Sequence, residues 1–317
     1  MLKKFESDLT GLWEQGIASK GTLYHDLRWR EIISRAYHRE SAYFVNLADD
    51  IIIGGFCSFR AGKRMVGLPY LPQGGMWGEF PVKELATMEK TEIINKQLRP
   101  NITDINESNY VTMKLTLPSS KDELWNTIGA KTRNLIRKSQ QHNFKLITCS
   151  LEDFYKIYIK ATNALGTPPH KKDFFRLILE HFGKDSRMHL LILDGIGVSS
   201  ILEIDYHGCR YDMWAFSLKK YFKFNPNMFL YWEVLKSAIN ARMKIYDFGR
   251  SLYGQGTYHF KKQWGAQPVL INNEIWSVHG VKKLGPDRKS GIAPKIWMNL
   301  PLFAANYFGP LIRRYIV

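Results

Sequence analysis

Cross-linking and metal binding have little to work with in this chain. Its 317 residues include only three cysteines, Cys57, Cys149 and Cys209, and none forms a C-x-x-C pair. An odd count at wide spacing excludes the disulfide framework of small secreted domains and fits a reducing compartment. Cys57 and Cys209 fall in or beside apolar strand patterns, where a free cysteine packs as a small apolar side chain. His25, His170 and His259 have no ligand-like spacing, so no metal site is expected. No uninterrupted apolar run approaches the about 20 residues that a spanning helix needs. The start, Met1-Leu-Lys-Lys-Phe-Glu-Ser-Asp, is charged and leads into no apolar stretch. The expectation is therefore a chain without a secretory leader, in the cytoplasm. Short repeats and low-complexity runs are absent as well.

Acidic residues are in deficit, with 29 Asp+Glu against 45 Lys+Arg and a formal net charge of +16. Such an excess repels itself and is usually matched by anionic company: nucleic acid, phosphorylated substrates or acidic lipid headgroups. The plainer alternative is a protein that is merely basic. Hydrophobic residues at 45% and charged residues at 23% are ordinary for a packed globular protein. At about 100–200 residues per domain, the length implies two domains or one large one.

The second half reads most clearly. A strand at 144–148 leads into a helix over 151–165, stopped by Gly166-Thr167-Pro168-Pro169, and a helix over 172–182 ended by Gly183. Strands follow at 189–193, 198–205 and 210–216, joined through Asp194-Gly195 and His207-Gly208, both good hairpin turns. Asn225-Pro226 opens a helix to about 243. A short strand at 245–248, a loop over 249–256, a helix over 257–264 and a strand at 269–276 complete the series. This β-α-α-β-β-β-α-β-α-β order is similar to the GNAT acyltransferase fold. The first half is a fainter copy. It has a helix at 26–37, a hairpin over 42–59 turning at Asp49-Asp50, a strand near 65–68, a helix over 82–98, a strand at 110–117 and a helix over 120–140. The expectation is an α/β (α+β) fold of two tandem GNAT-like lobes, each a mixed, mostly antiparallel sheet flanked by helices. The lobes would span 1–140 and 141–290, with an apolar and basic tail at 291–317.

Several segments resemble the FemABX family of peptidoglycan-bridge aminoacyltransferases, and more closely its FemAB-related members found beside exopolysaccharide and PEP-CTERM sorting systems. Leu124-Trp125 followed by Lys131-Thr132-Arg133-Asn134-Leu135-Ile136-Arg137-Lys138-Ser139 is similar to the family's R-N-x-I-x-K-A helix. Tyr246-Asp247-Phe248-Gly249-Arg250-Ser251, leading to Gly256-Thr-Tyr258-His-Phe260-Lys261-Lys262-Gln263-Trp264, resembles its strand, loop and F-K-x-G-F segment. Tyr24-His-Asp-Leu-Arg-Trp29 and Gly67-Leu-Pro-Tyr70 resemble the exopolysaccharide-linked members. Here the Gly and final Phe of F-K-x-G-F are replaced by Gln263 and Trp264. The coiled-coil arm associated with tRNA binding in some members has no counterpart. The resemblance implies acyl or aminoacyl transfer to an amine or hydroxyl of a cell-envelope glycan, a peptidoglycan precursor or an exopolysaccharide.

Such a reaction needs a cation or fixed donors for the carbonyl oxygen and a group to accept the nucleophile's proton. Lys261 matches the family's motif lysine, which implies a role in polarising the carbonyl; a solvated helix lysine is the alternative, as for its neighbour Lys262. Asp247 and Arg250 flank Phe248-Gly249 at a strand end. Asp247 reads as a base or as a partner of Arg250, whose planar fork suits phosphate or carboxylate. Tyr258 completes the catalytic candidates. Ser251, Tyr253, Lys262 and Trp214 join the substrate-binding candidates, with core packing the alternative for the tyrosines. Arg133 and Arg137 lie four apart and share a helix face, a spacing that suits a diphosphate; with Asn134 and Lys138 they form a basic stripe. An exposed charged face is the alternative. Glu203 and Asp205 share one face of a strand, read as acid/base groups near a cleft or as a solvent-facing strand edge.

No cofactor is expected beyond an acyl donor, either aminoacyl-tRNA or acyl-CoA. The GNAT pyrophosphate loop, R/Q-x-x-G-x-G/A, is missing: Ser217-Leu-Lys219-Lys220-Tyr-Phe-Lys223-Phe-Asn225-Pro226 has lysines and no glycine. Gly74-Gly75-Met-Trp-Gly78 is a weaker candidate in the first half. Two rival readings stay open, an acyl-CoA N-acyltransferase and a non-catalytic binding module on a GNAT scaffold in a polysaccharide-export complex. The tail, with Ile296, Leu302-Phe303, Tyr307-Phe308, Leu311-Ile312 and Arg313-Arg314, is preceded by Lys282, Lys283, Arg288 and Lys289. Pro301, Asn306, Gly309 and Pro310 are expected to break it. It suits the interface of an anionic membrane, which would place the protein peripherally on the inner face; ordinary packing on a lobe is the alternative. The expected partners are thus a phosphorylated glycan or lipid-linked acceptor, charged tRNA and an anionic membrane surface.

Overall fold

The computed structural model describes residues 1–100, 102, 104–285 and 292–316. The first half runs β1 (Leu2–Lys4), α1 (Thr10–Lys20), α2 (Arg28–Tyr37), β2 (Phe44–Ala48), β3 (Ile51–Phe56), β4 (Ser58–Ala61), β5 (Arg64–Gly67), β6 (Met76–Gly78), α3 (Val82–Met88), β7 (Glu92–Arg99), β8 (Tyr110–Thr116), α4 (Lys121–Thr127) and α5 (Ala130–Gln140). Two expectations change here. The helix expected over 82–98 stops at Met88, and Glu92–Arg99 is a strand antiparallel to residues of β14 (Gln267–Ser277). Cross-strand pairing overrides a sequence with acceptable helix propensity. The single helix expected over 120–140 is two, parted at Ile128-Gly129. Ser120 caps the first, its Oγ accepting from Glu123 N at 3.1 Å.

The second half follows the expected order. β9 (Phe144–Thr148), α6 (Leu151–Ala164), α7 (Lys172–Phe182), β10 (Ser186–Leu193), β11 (Ile196–Tyr206), β12 (Cys209–Ser217), α8 (Pro226–Asn240), β13 (Ile245–Leu252), α9 (Gly256–Lys262) and β14 are joined by β15 (Gly280–Lys283). Asp194-Gly195 and His207-Gly208 have φ of 48° and 80°, and 47° and 75°, the left-handed pairs that tight hairpins require. Gly249 to Leu252, expected as loop, continue β13 because Arg250 to Leu252 pair with Thr112 to Tyr110 of β8 beyond an irregularity at Phe248 and Gly249. The tail folds as α10 (Ile292–Met298) and α11 (Leu302–Arg313). α11 runs through Asn306, Gly309 and Pro310, which were expected to break it. Arg288 and Lys289 lie outside the described residues. No helix among those described is long and apolar enough to cross a membrane.

The described strands form two sheets, β1-β2-β3-β6 and an eleven-stranded one ordered β4-β5-β7-β14-β8-β13-β12-β11-β10-β9, with β15 on β14. β8, from the first half of the sequence, is inserted between β13 and β14. The large sheet therefore crosses residue 140 without interruption. Helices cover both faces, as expected of a mixed, mostly antiparallel sheet. On one face an aromatic core joins the halves: Tyr24 meets Tyr211 edge-on at 5.7 Å, Trp29 lies 5.1 Å from Phe182, and Tyr37 lies 5.4 Å from Phe174. On the other, α5 and α8 bury Ile136, Leu235 and Trp264 with Val111 and Phe248. The candidate site lies on this second face.

Candidate active site

β12 and β13 are parallel and share only three rungs, Cys209–Tyr211 with Ile245–Asp247. The ladder stops there, although both strands continue. A bulge marks the same level on the other side of β12. Leu202 of β11 faces Trp214 and Glu203 faces Asp212, so Met213 is the extra residue. It turns Met213 and Trp214 toward the aromatic core. The Tyr24 hydroxyl donates to Met213 Sδ at 3.8 Å, and the Trp214 ring lies 5.2 Å from Phe175. Asp212 instead turns toward α8, where the Tyr231 hydroxyl donates to its Oδ2 at 2.5 Å.

Lys261 on α9 lies beyond the last rung. Its side chain is buried, and Nζ donates to the carbonyls of Gly249 and Arg250, each at 3.0 Å. Burial pulls its ammonium down to about 8; Asp212 and Asp247 pull the other way, and Arg250 adds to the fall. Burial pushes Asp212 up to about 7, against the Lys261 charge and the Tyr231 hydrogen bond. A buried acid and base, each shifted mainly by burial and each acting on the other, make this corner a functional-site candidate.

Asp247 is fully buried, yet its Oδ1 is committed. It accepts from Thr112 Oγ1 at 2.5 Å and from Gly249 N at 2.8 Å. Among the described residues its Oδ2 has no hydrogen-bond partner. Gly249 takes φ 71°, and a Cβ there would stand 3.1 Å from the Asp212 carbonyl oxygen, so the corner of β13 closes against β12. Asp247 thus fixes the corner that offers its carbonyls to Lys261.

Glu203 is also fully buried and accepts from the Tyr246 hydroxyl at 2.8 Å, with His189 Nδ1 at 3.7 Å from its other oxygen. Asp205 pairs with Arg210 and Arg187, each at 2.7 Å. Neither residue lies on a solvent-facing edge, because β11 is interior to the sheet. Burial of these side chains under α8 is the reason.

The other candidates divide. Arg250 is exposed, its guanidinium 4.5 Å from the centre of the Tyr110 ring. Ser251 is buried. Tyr253 and Tyr258 pack ring on ring at 4.7 Å, with Lys262 Nζ 5.6 Å from the Tyr258 ring and itself exposed. Arg133 is half-buried and donates to the Ile128 carbonyl at 2.6 Å, closing the end of α4. Asn134 and Lys138 are exposed, and Arg137 stacks on Trp125 at 5.1 Å. The two arginines therefore do different jobs. Trp214 lies apart from Lys261, on the opposite face. Sequence reasoning missed Asp212 and Tyr231; the one signal for Asp212 was an acid inside an apolar strand.

No group of His, Cys, Asp and Glu among the described residues could hold a metal ion. Gly75 of the glycine-rich segment in the first half abuts Asn95: a Cβ there would lie 2.3 Å from Asn95 Oδ1. That glycine is a packing requirement.

Residues 130–262 match the family described as Acetyltransferase (GNAT) domain. Among solved structures, the chain is similar to FemX, with a TM-score of 0.62 at 13% identity over 90% of this chain and 98% of that one. It is also similar to the C-terminal domain of a putative lysylphosphatidylglycerol synthetase from Agrobacterium fabrum, with a TM-score of 0.55 at 7% identity over 84% and 91%. A tandem GNAT protein from the clavulanic acid biosynthesis pathway gives 0.54 at 10% over 90% and 99%. The fold is a tandem GNAT fold. The matched segment holds the α5 stripe, the β12–β13 corner and Lys261. No curated protein matches the chain in sequence.

Proposed function

We propose that this protein transfers an acyl or aminoacyl group to an amine or hydroxyl of a phosphorylated cell-envelope glycan or its precursor, at the corner where β12 and β13 part. The observation that carries the reading is a buried lysine bonded to two backbone carbonyls at the end of a three-rung parallel ladder, beside a carboxyl held near neutrality. The incoming nitrogen or oxygen attacks the donor carbonyl, a new C–N or C–O bond forms, and the bond to the donor's leaving group breaks. Lys261 has three N–H donors and two are committed to carbonyls; the third serves the developing oxyanion. Asp212, drawn to about 7, is the proton acceptor, since a base is most effective with a value near the working pH, whereas Asp247 has its Oδ1 committed to Thr112 and Gly249. Asp247 positions the corner. Arg137, Lys138 and Arg250 are exposed cations suited to phosphate on the acceptor.

The donor is aminoacyl-tRNA or a related aminoacyl ester in this reading. A CoA thioester is the second reading, favoured by the match of 130–262 to an acetyltransferase domain. Against it, the segment between β12 and α8 is a 3-10 turn over Lys219–Phe224, ending at Asn225 with φ 57°, and no glycine cradle opens α8. A thermal-shift panel tests both, using acetyl-CoA, longer acyl-CoAs, charged tRNA and UDP- or polyprenyl-linked sugars on the wild type and Lys261→Ala. A ligand that binds the folded state raises the melting temperature. A shift with charged tRNA or a phosphorylated glycan, with turnover lost in Lys261→Ala, is the expected result. A shift with acyl-CoA alone moves the assignment to the second reading. No shift with any of them overturns both.

A further inference from the structure

α11 presents its apolar side to solvent. Ala305 and Gly309, one turn apart, are buried, and Gly309 closes on Pro169 so tightly that a Cβ would lie 2.3 Å from Pro169 Cδ. The opposite side carries Phe303, 79% exposed, and Tyr307, 70% exposed, and Phe308 and Leu311 stand beside them, each about half exposed. Tyr315, just past the helix, is 75% exposed. An ordinary surface helix shows the reverse, with polar residues outward.

The helix is held in this orientation at both ends of its run. It packs on α6 of the second half, and its last turn is fastened to the first half. The Arg314 carbonyl accepts from the Tyr70 hydroxyl at 2.8 Å and from Arg39 Nη2 at 2.5 Å. The aromatic stripe is therefore a fixed part of the surface.

Charge names the occupant. Residues 292–317 contain no Asp or Glu, only Lys295, Arg313 and Arg314. Lys160 on α6 and Lys295 on α10 are exposed on the elements that flank the stripe. A fixed aromatic and aliphatic stripe with cations at its rim, on a chain of net charge +16, complements a negatively charged lipid surface. Acids are outnumbered there: the cleft beside Asn306 and Pro310 holds Lys156, Lys171 and Lys172 with Glu152 and Asp173, so the balance stays positive and matches an anionic surface.

We infer that α10 and α11 dock this protein onto the surface of an anionic lipid bilayer, with the Phe303–Tyr307–Leu311 stripe entering the interface and the flanking lysines meeting the headgroups. The inference does not depend on the acyl-transfer reading.

The experiment is co-sedimentation of the full chain with vesicles of phosphatidylcholine alone and of phosphatidylcholine mixed with phosphatidylglycerol. Wild type is expected to sediment with the mixed vesicles and to stay in solution with the neutral ones. A variant with Phe303→Ser, Tyr307→Ser and Phe308→Ser is expected to lose more than about tenfold in partitioning, given the apolar area withdrawn. Lys160→Ala and Lys295→Ala leave the stripe intact and are expected to lower partitioning about fivefold each. All the altered side chains are exposed, and an unchanged melting temperature confirms the fold. The inference is overturned if wild type stays in solution with both vesicles, or if the serine variant sediments like wild type. It is also overturned if sedimentation velocity without lipid shows a dimer that the serine variant abolishes, which makes the stripe a contact between copies.

Discussion

Replacing Lys261 with methionine removes a buried ammonium and keeps most of its bulk. Holding that ammonium at about 8 rather than its ordinary 10.5 corresponds to about 3 kcal/mol against the charged form, and methionine relieves this. The same change removes two hydrogen bonds from a charged donor to the Gly249 and Arg250 carbonyls, each worth about 1.5–3 kcal/mol. These terms nearly cancel at low pH and leave a loss of at most about 3 kcal/mol. The pH dependence separates the pair from its surroundings. Asp212 is raised above its unfolded value, so its contribution to stability falls as pH rises from near 4 toward its folded value of about 7. In the wild type that fall ends near 7, because Lys261 favours the ionised form. Without Lys261 the folded value is higher still and the fall continues. One proton's worth of slope is about 1.4 kcal/mol per pH unit. Between about pH 7 and pH 8 the melting-temperature gap between variant and wild type should therefore widen by about 2–4 °C. Scanning calorimetry across this range measures it, and Lys261→Met with Asp212→Asn should remove the widening. A gap that stays constant with pH refutes the reasoning that Lys261 sustains the charge on Asp212.

Asp212→Asn removes the largest influence holding Lys261 up, so the alkaline limb of kcat/KM should move below about 8; a pH–rate profile reads it. Gly249→Ala places a side chain in left-handed backbone against the Asp212 carbonyl and should destabilise by about 1–3 kcal/mol in urea unfolding. Trp214→Ala should cost about 3 kcal/mol of stability, because the ring packs with His170, Phe174 and Phe175, and should leave the affinity for a glycan acceptor unchanged in titration. Arg137→Ala should change stability by less than about 1 kcal/mol, since Arg137 is exposed and loses its contact with the Trp125 ring, while weakening binding of a UDP-linked sugar.

The second half was legible because each of its elements carries its own punctuation. Asp194-Gly195 and His207-Gly208 end strands, Pro226 starts a helix, and the apolar periods between them switch between two and 3.6 residues. The first half has weaker local signals and depends on distant partners. Glu92–Arg99 becomes a strand through pairing with residues some 175 positions later in the chain. β8 likewise belongs by sequence to one half and by pairing to the other, and nothing local announces where a strand will be inserted. Pro310 was a reasonable stop for the tail, yet burial of Ala305 and of Gly309, the latter closed on Pro169, holds α11 through it.

The site was half legible, and the missing half has one geometric cause. In a regular strand Asp212 and Trp214 would share a face. The single extra residue at Met213 reverses the parity, sending Trp214 into the aromatic core and leaving Asp212 alone under Tyr231. A bulge of this kind depends on the neighbouring strand and has no signature in one sequence. The choice between Lys261 and Lys262 is different. Tyr258, Lys261 and Trp264 recur at three-residue spacing, and all three are buried. The two aromatics set the phase of a short helix, and that phase turns Lys261 inward and Lys262, about 100° away, out to solvent. That phase is written in the aromatic spacing, so the sequence carries a physical reason for preferring Lys261 beside the motif match that singled it out.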